Sequence, residues 1–513
     1  MNSVALVLTF FCLVSAGGNK NVLFLVVDDL RPQLGSYEDQ HFPSPTHPKM
    51  HTPNLDALAK KSLLLTRGYC QYALCGPSRA SALTGRRPDS THVYDLRRYW
   101  REVGGNFTTI PQYFKEHGYN TIGMGKIFHP GASSGDKDPI SWSDGKPNID
   151  FMGYTTPYDD NTLVKAITES EILKNPLSET MLANHAIDTL KNVSHKAKSG
   201  QQNFFVAVGF QKPHIPWHCP AKYLNYYPTY SVNPPSNMYP PKNMPLVAWH
   251  QYNNLGNYDD VKALNLSNVG EVGFNFPNDT VVQFRQAYYS CASWIDDEIG
   301  RILKTLEDEG LADDTIVSFW GDHGWALGEN GEWEKQTNFE IATHVPFMVR
   351  VPGLTDHGIK TDKLTELVDL FPTLVEAAGL PKLDRCLSYE HNVKVCAEGD
   401  SMMPLMTNPN DGSWKQAVFS QYSHNLDDSG PYMGYTIKTD RYRYTEWPQF
   451  DSNLYQPDWD KQQGAELYDH QIDPWETENR ANDHAYLHTR QQLSWQLRAG
   501  WRNVGTHGGP LVG

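Results

Sequence analysis

The stretch "NVLFLVVDDL", Asn21 to Leu30, is apolar without interruption from Val22 to Val27 and ends in two acids. A strand with one wet face alternates apolar and polar residues, so a continuous run of β-type residues reads as a strand buried on both faces. Similar runs recur at "NFFVAVGF", 203–210, and "DTIVSFWGDHG", 314–324. Helical patterns lie between them, at "TPNLDALAKKS" (52–62), "TIPQYFKEHG" (109–118) and "FRQAYYSCASWIDDEIGRILKTLEDEG" (284–310). Thr52-Pro53 reads as an N-cap followed by proline in the first turn, and Gly118 as a helix stop. Strands alternating with helices predict an α/β domain around a mostly parallel sheet.

Residues 219–280 are rich in Pro, Asn and Tyr with little periodicity, and are expected to be long surface loops shaping a cleft. After about residue 400 the pattern changes. "QAVFSQY", "MGYTIKTDRYRYTEW" and "AELYD" read as antiparallel strands, and "AYLHTRQQLSWQLRAGWRN" as a closing amphipathic helix. The expected organisation is a leader at 1–16, a catalytic domain at 17–400 and a smaller α+β domain at 401–513.

At 513 residues the chain can bury a sizeable core, and 12% aromatic with 20% charged residues is a globular composition. A formal net charge of −15 argues against a nucleic-acid partner. An anionic substrate would need a local basic pocket. Val4 to Val14 has the length of a signal-peptide core, and Val14-Ser15-Ala16 suits cleavage. No later segment reaches the ~18 uninterrupted apolar residues of a membrane span. Sequons begin at Asn106, Asn192, Asn265 and Asn278, which fits a secretory route with glycosylation at those sites. Cys12 leaves with the leader. Cys386 and Cys396 close a short loop, "CLSYEHNVKVC", and are expected to form a disulfide. Cys70, Cys219 and Cys291 have no evident partner and read as buried thiols.

Acids gather at strand ends, Asp28-Asp29 after the first strand and Asp322-His323 after a later one. Ligands of open α/β sheets bind at the carboxyl ends of strands, and carboxylate oxygens favour Ca²⁺ or Mg²⁺ over zinc. Lys126 and His129 in "GMGKIFHP", Lys212 and His214 in "GFQKPHIPW", and Lys335 in "GENGEWEKQTNFE" stand in similar settings. Basic groups beside a cation site suit a clamp for a compact oxyanion. Cys75, in "YALCGPSRASALTGRRPD" (72–89), sits alone in what reads as a loop of small and basic residues.

"CGPSR" followed by "ALTGR" resembles the signature of the formylglycine-dependent sulfatases: Cys75, Pro77, Ser78, Arg79, then Leu83, Thr84 and Gly85. "VDDLRPQLGSY", "GKIFHPG", "KPHIPW" and "GDHGWALGENGEW" extend the likeness along nearly the whole chain, toward the branch acting on 2-sulfated iduronate. The resemblance implies an alkaline-phosphatase-like sandwich with a smaller C-terminal antiparallel sheet. It implies a Cys75 oxidised to Cα-formylglycine by the formylglycine-generating enzyme. The aldehyde hydrates, one hydroxyl attacks sulfur and the other expels sulfate. It implies one Ca²⁺ held by Asp28, Asp29, Asp322, His323 and modified Cys75, with Arg79 positioning the hydrate. Lys126 and Lys335 would hold sulfate oxygens, His129 would act as base in sulfate release, and His214, a histidinium at lysosomal pH, would protonate the leaving oxygen. Trp325 would line the pocket. The implied substrate is the 2-O-sulfate of uronate residues in heparan or dermatan sulfate, in a lysosomal or secreted protein. Another sulfated glycan, an aryl sulfate or a phosphonate monoester is the alternative substrate, and a non-catalytic binding protein the alternative class. Gln336 departs from the branch, where an aromatic follows the lysine.

Overall fold

The computed structural model describes residues 20–38, 44–145, 160–387, 393–425 and 431–504; the expected leader lies outside them. The large sheet has seven strands: β1 (Asn21–Val27), β2 (Leu63–Tyr69), β3 (Asn120–Gly125), β4 (Phe204–Phe210), β5 (Thr315–Gly321), β6 (His344–Arg350) and β7 (Ile359–Glu366). Their order across the sheet is β7-β2-β6-β5-β1-β4-β3. Every neighbouring pair is parallel except those of β6, which runs antiparallel to both β2 and β5. The fold is thus the α/β sandwich with a mostly parallel sheet.

β1 lies inside this sheet, between β5 and β4, with helices over both faces, and both of its faces are apolar for that reason. Leu23, Leu25 and Val27 join one core and Val22, Phe24 and Val26 the other. The first core is roofed by α4 (Ser178–Lys198) and α5 (Asn278–Asp308), while α2 (Cys75–Thr84), α3 (Ile110–Glu116) and α6 (Leu370–Ala377) contribute to the second. The early helix of the chain, α1 (Pro53–Ala59), packs on α5. Its Asn54 and Leu55 amides donate to the Asp296 carboxylate. α5 starts six residues before the amphipathic pattern suggests, because it opens on two exposed polar residues, Asn278 and Asp279.

A second sheet of four antiparallel strands, β8 (Ala417–Asn425), β9 (Pro431–Thr439), β10 (Tyr442–Asp451) and β11 (Gln456–Asp469), follows in simple order. A last helix, α7 (Leu487–Ala499), packs on it through Leu493 and Leu497. Residues 221–277 are mostly loops and short 3-10 turns. Cys386 and Cys396 form a disulfide, and Cys70, Cys219 and Cys291 are buried and free. Asn106, Asn192, Asn265 and Asn278 are all exposed. Among the described residues no helix is long and apolar enough to cross a membrane.

Candidate active site

The carboxyl ends of β1, β3, β4 and β5 converge on one point. Asp28 and Asp29 are adjacent, and in an extended strand they would face opposite sides. Asp29 instead takes a left-handed conformation, φ 57°. That costs a non-glycine residue roughly 1–2 kcal/mol and breaks the alternation. The surroundings hold it there: the Asp29 amide donates to Asp322 Oδ1 (3.0 Å) and the Tyr288 hydroxyl donates to the Asp29 carbonyl (2.7 Å). Tyr288 belongs to α5 and carried no signal in the sequence.

Cys75 opens the helix α2 rather than lying in a loop. The spacing in "CGPSR" then has a geometric meaning, since positions i, i+3 and i+4 share one helical face. Cys75, Ser78 and Arg79 all turn toward Asp322-His323. The Ser78 hydroxyl donates to the Asp322 carbonyl, and Arg79 Nε donates to Asp322 Oδ2 (2.9 Å). Arg79 Nη2 reaches Asp28 Oδ1 (3.1 Å), and Nη1 binds the carbonyls of Lys126 and Ile127. Gly85, φ 64°, ends the helix against the Phe371 ring. Lys126 is delivered by β3, whose amide at 126 donates to the Gly209 carbonyl; a Cβ at Gly209 would meet the Lys126 carbonyl at 2.2 Å. Only glycine permits that approach.

Around Cys75 Sγ, His323 Nε2 stands at 3.3 Å and Lys335 Nζ at 3.2 Å. Lys335 also binds Asp29 Oδ1 (2.5 Å), and Lys126 binds Asp28 Oδ2. Trp325 lies against Lys335, its ring 5.2 Å from Nζ. His214 Nε2 is 3.9 Å from Asp29 Oδ2. His129 stands farther out: its Nδ1 contacts the Pro130 carbonyl and the Ser133 hydroxyl within its own loop. His129, His214 and His323 share one device. In each, Nδ1 donates to the carbonyl of the next residue, which leaves Nε2 unprotonated and able to accept a proton or bind a metal. Cys75, Asp28, Asp29, Asp322 and His323 are at most 2% exposed, whereas the His214 side chain is 26% exposed. The site therefore opens on the histidine side.

Its electrostatics suit a cation. Burial pushes Asp29 up to about 8 against the pull of Lys335, and Asp322 up to about 6 against Arg79. Burial acts the same way on Asp28, but Lys126 and Arg79 outweigh it and hold that carboxyl well below its usual range. Asp29 Oδ2 is buried without a hydrogen-bond partner. Donor atoms of Asp28, Cys75, Asp322 and His323, and of Asp28, Asp29, Cys75 and His214, lie within 4.8 Å of one another. An orphaned carboxylate oxygen among carboxylates and a free imidazole nitrogen fits a metal ion. Burial, together with Asp28, raises the Cys75 thiol to about 12. As a thiol it would stay protonated and be a poor nucleophile or ligand. Burial and then Lys335 hold His214 well below its ordinary pKa, and burial and then Lys126 bring His129 to about 4. Against the expectation of a histidinium at 214, burial first and then the nearby lysine ammoniums disfavour a further positive charge there.

A phosphonate monoester hydrolase from Silicibacter pomeroyi superposes with TM-score 0.69 at 23% identity, over 95% of this chain and 96% of that one. The fold is that of the alkaline-phosphatase-like class. The chain belongs to the sulfatase family, whose sulfatase pattern matches residues 20–380, with the N-sulphoglucosamine sulphohydrolase C-terminal pattern over 328–502. It is a sulfuric ester hydrolase. Iduronate 2-sulfatase of Mus musculus is 36% identical over 94% of this chain and 96% of its own length. Iduronate 2-sulfatase of Homo sapiens is 36% identical over 90% and 91%.

Proposed function

We propose that the protein removes the 2-O-sulfate of iduronate or related uronate residues in glycosaminoglycans such as heparan or dermatan sulfate. The observation that carries this reading is the convergence of Cys75 with three aspartates, His323, Arg79, Lys126 and Lys335 in one buried centre. The near-full-length likeness to iduronate 2-sulfatases supports the choice of sugar.

Ca²⁺ would be held by Asp28, Asp29, Asp322, His323 and an oxygen of residue 75, and when bound would supply a Lewis-acid charge for the sulfate and for the attacking hydroxyl. A formylglycine made from Cys75 by the formylglycine-generating enzyme would provide that hydroxyl in place of an inert thiol. Arg79, fixed by four hydrogen bonds to Asp28, Asp322 and two carbonyls, orients residue 75 from one side. Lys126 and Lys335 offer cationic N–H donors to sulfate oxygens. His214 is in place to give the leaving oxygen a proton from Nε2. Burial and then Lys335 disfavour its charged form, so the charge of the arriving sulfate must raise its basicity before it can be protonated. His129, whose charged form burial and then Lys126 disfavour, can accept a proton at Nε2 during sulfate release. The apolar run at 4–14, the sequons and the disulfide support a secretory route, to lysosome or exterior.

The test is a screen of purified protein on defined sulfated disaccharides. Selective loss of sulfate from 2-sulfated uronate is the expected result. Preference for glucosamine 6-sulfate or for aryl sulfates would replace the proposed substrate while leaving the sulfatase class intact.

A further inference from the structure

Lys335 is flanked by two non-glycine residues in left-handed backbone, Glu334 at φ 68° and Gln336 at φ 75°. Such conformations persist only where the surroundings over-determine them. Each flank has its own tether. The Glu334 side chain is 1% exposed and turns away from the site. Its Oε2 accepts from Asn254 Nδ2 (2.5 Å) and its Oε1 from the Leu255 amide (3.2 Å). Asn254 and Leu255 belong to the long 219–280 loop region, and Leu255 is fully buried. On the other flank the Gln336 amide donates to the Ala73 carbonyl (3.0 Å), two residues before Cys75. The Tyr422 hydroxyl, from β8 of the C-terminal sheet, donates to Gln336 Oε1 (2.9 Å). Between these tethers the Lys335 side chain is directed at Asp29 and Cys75.

We infer that Glu334 is a positioning residue: its buried carboxylate, gripped by Asn254 and Leu255, holds the backbone that aims Lys335 at the sulfate. The Glu334 carboxylate bonds to Asn254 and Leu255, away from residue 75 and the aspartates. Its action passes through the backbone. Both hydrogen-bonded tethers are N–H donors from neutral groups, and His250 Nε2 stands 3.9 Å from Oε2 on the same side. The same view gives the 219–280 loops a role, because one of them sets the direction of the cation rather than merely walling the cleft.

The inference rests on the reading that Lys335 binds sulfate, so Lys335→Ala is the reference. Binding of inorganic sulfate to the purified, metal-loaded protein would be measured by isothermal titration, with melting temperature as a check on folding. Lys335→Ala should weaken sulfate by at least about tenfold, as loss of one charge-assisted contact does. Glu334→Ala should reproduce most of that loss. Glu334→Gln, which keeps one acceptor oxygen and sets an amide donor against the other N–H tether, should fall between the parent and Glu334→Ala. Asn254→Ala removes one tether from the opposite side and should weaken sulfate by an intermediate factor; it serves in place of Glu334→Ala if that variant fails to fold. A Lys335→Ala protein that binds sulfate as the parent does would defeat the underlying reading. Loss on Lys335→Ala, with parent-like binding in folded Glu334→Ala or Asn254→Ala, would overturn the positioning role alone.

Discussion

Cys75 Sγ and His323 Nε2 lie 3.3 Å apart, one at the start of α2 and the other just past the end of β5. The contact joins the residue that opens a helix to the residue that closes a buried strand. Its partners are fixed on both sides: His323 Nδ1 is bound to the Gly324 carbonyl, and Lys335 approaches the same sulfur. A protonated thiol has little to offer so elaborate a setting, whereas an oxygen nucleophile would use all of it.

The first prediction follows from that mismatch. In active protein the peptide carrying residue 75 should be about 18 Da lighter than the cysteine form, the loss of H₂S with gain of oxygen. Cys75→Ala should abolish turnover while costing less than about 2 kcal/mol of stability, since only one small buried group is trimmed. Mass spectrometry of the digested peptide and a thermal melt check both parts. Turnover by Cys75→Ala would remove the nucleophile from residue 75.

The second concerns the metal. Without it, Asp28, Asp29 and Asp322 face Arg79, Lys126 and Lys335, three acids against three bases. A bound divalent ion would take the place of the proton that burial favours on Asp29 and would add to the positive charge of the centre, which suits an anion. Chelation should abolish activity, Ca²⁺ should restore it, and elemental analysis should find about one calcium per chain. Restoration by zinc alone, with stoichiometric zinc in the purified protein, would show that the His323 nitrogen and not the carboxylates sets the preference.

A third lies beside the site. Glu329 is fully buried, with Arg31 Nη2 and Arg285 Nη1 each 2.9 Å from its Oε1 and the Leu327 amide on Oε2. Burial alone would raise its pKa, but the two guanidiniums override it and hold the carboxyl well below the ordinary 4.5. A depressed folded pKa means stability fully present above pH 4.5 and lost progressively as pH falls below it toward the folded value. Glu329→Gln should cost about 3–5 kcal/mol near neutrality by stranding buried arginines. The gap from the parent should hold at pH 5 and narrow in stronger acid. Denaturant titrations at several pH values measure it, and a gap that grows with acid would reverse the assignment.

How much of this was written in the sequence depends on the kind of signal. The buried strand 21–27 was legible because burial on both faces leaves no polar position. Strand 344–350 was not singled out, and nothing in "HVPFMVR" reveals that it runs antiparallel to its neighbours. Side-chain pattern encodes burial, not direction. The acids, lysines and histidines at strand ends could be gathered because the sheet topology brings strand ends together. Tyr288 and Glu334 could not, since each acts on backbone of a distant segment and neither carries a spacing of its own. The intrinsic pKa of histidine suggests a charged His214 in mild acid, whereas burial and the nearby lysines, which disfavour that charge, appear only in three dimensions.

That disfavoured charge on His214 sharpens the last prediction. A sugar alkoxide leaves poorly near neutral or mildly acidic pH, so a proton must arrive as the S–O bond breaks. His214 is the group for this task by position: its Nε2 is free, its side chain is partly exposed on the open side, and Asp29 stands 3.9 Å away. His214→Ala should slow hydrolysis of sugar sulfates roughly 10²- to 10⁴-fold. It should matter far less for 4-nitrophenyl sulfate, whose phenolate leaves unprotonated. His129→Ala should behave otherwise. Its role is in sulfate release, which is common to both substrates, so both should slow together. The pH profiles should also separate the two. If substrate charge is what lets His214 take a proton, loss of His214 should remove the alkaline fall in kcat for the sugar substrate and leave that for the aryl substrate unchanged. Equal slowing of both substrates by His214→Ala would move the acid's role to another residue.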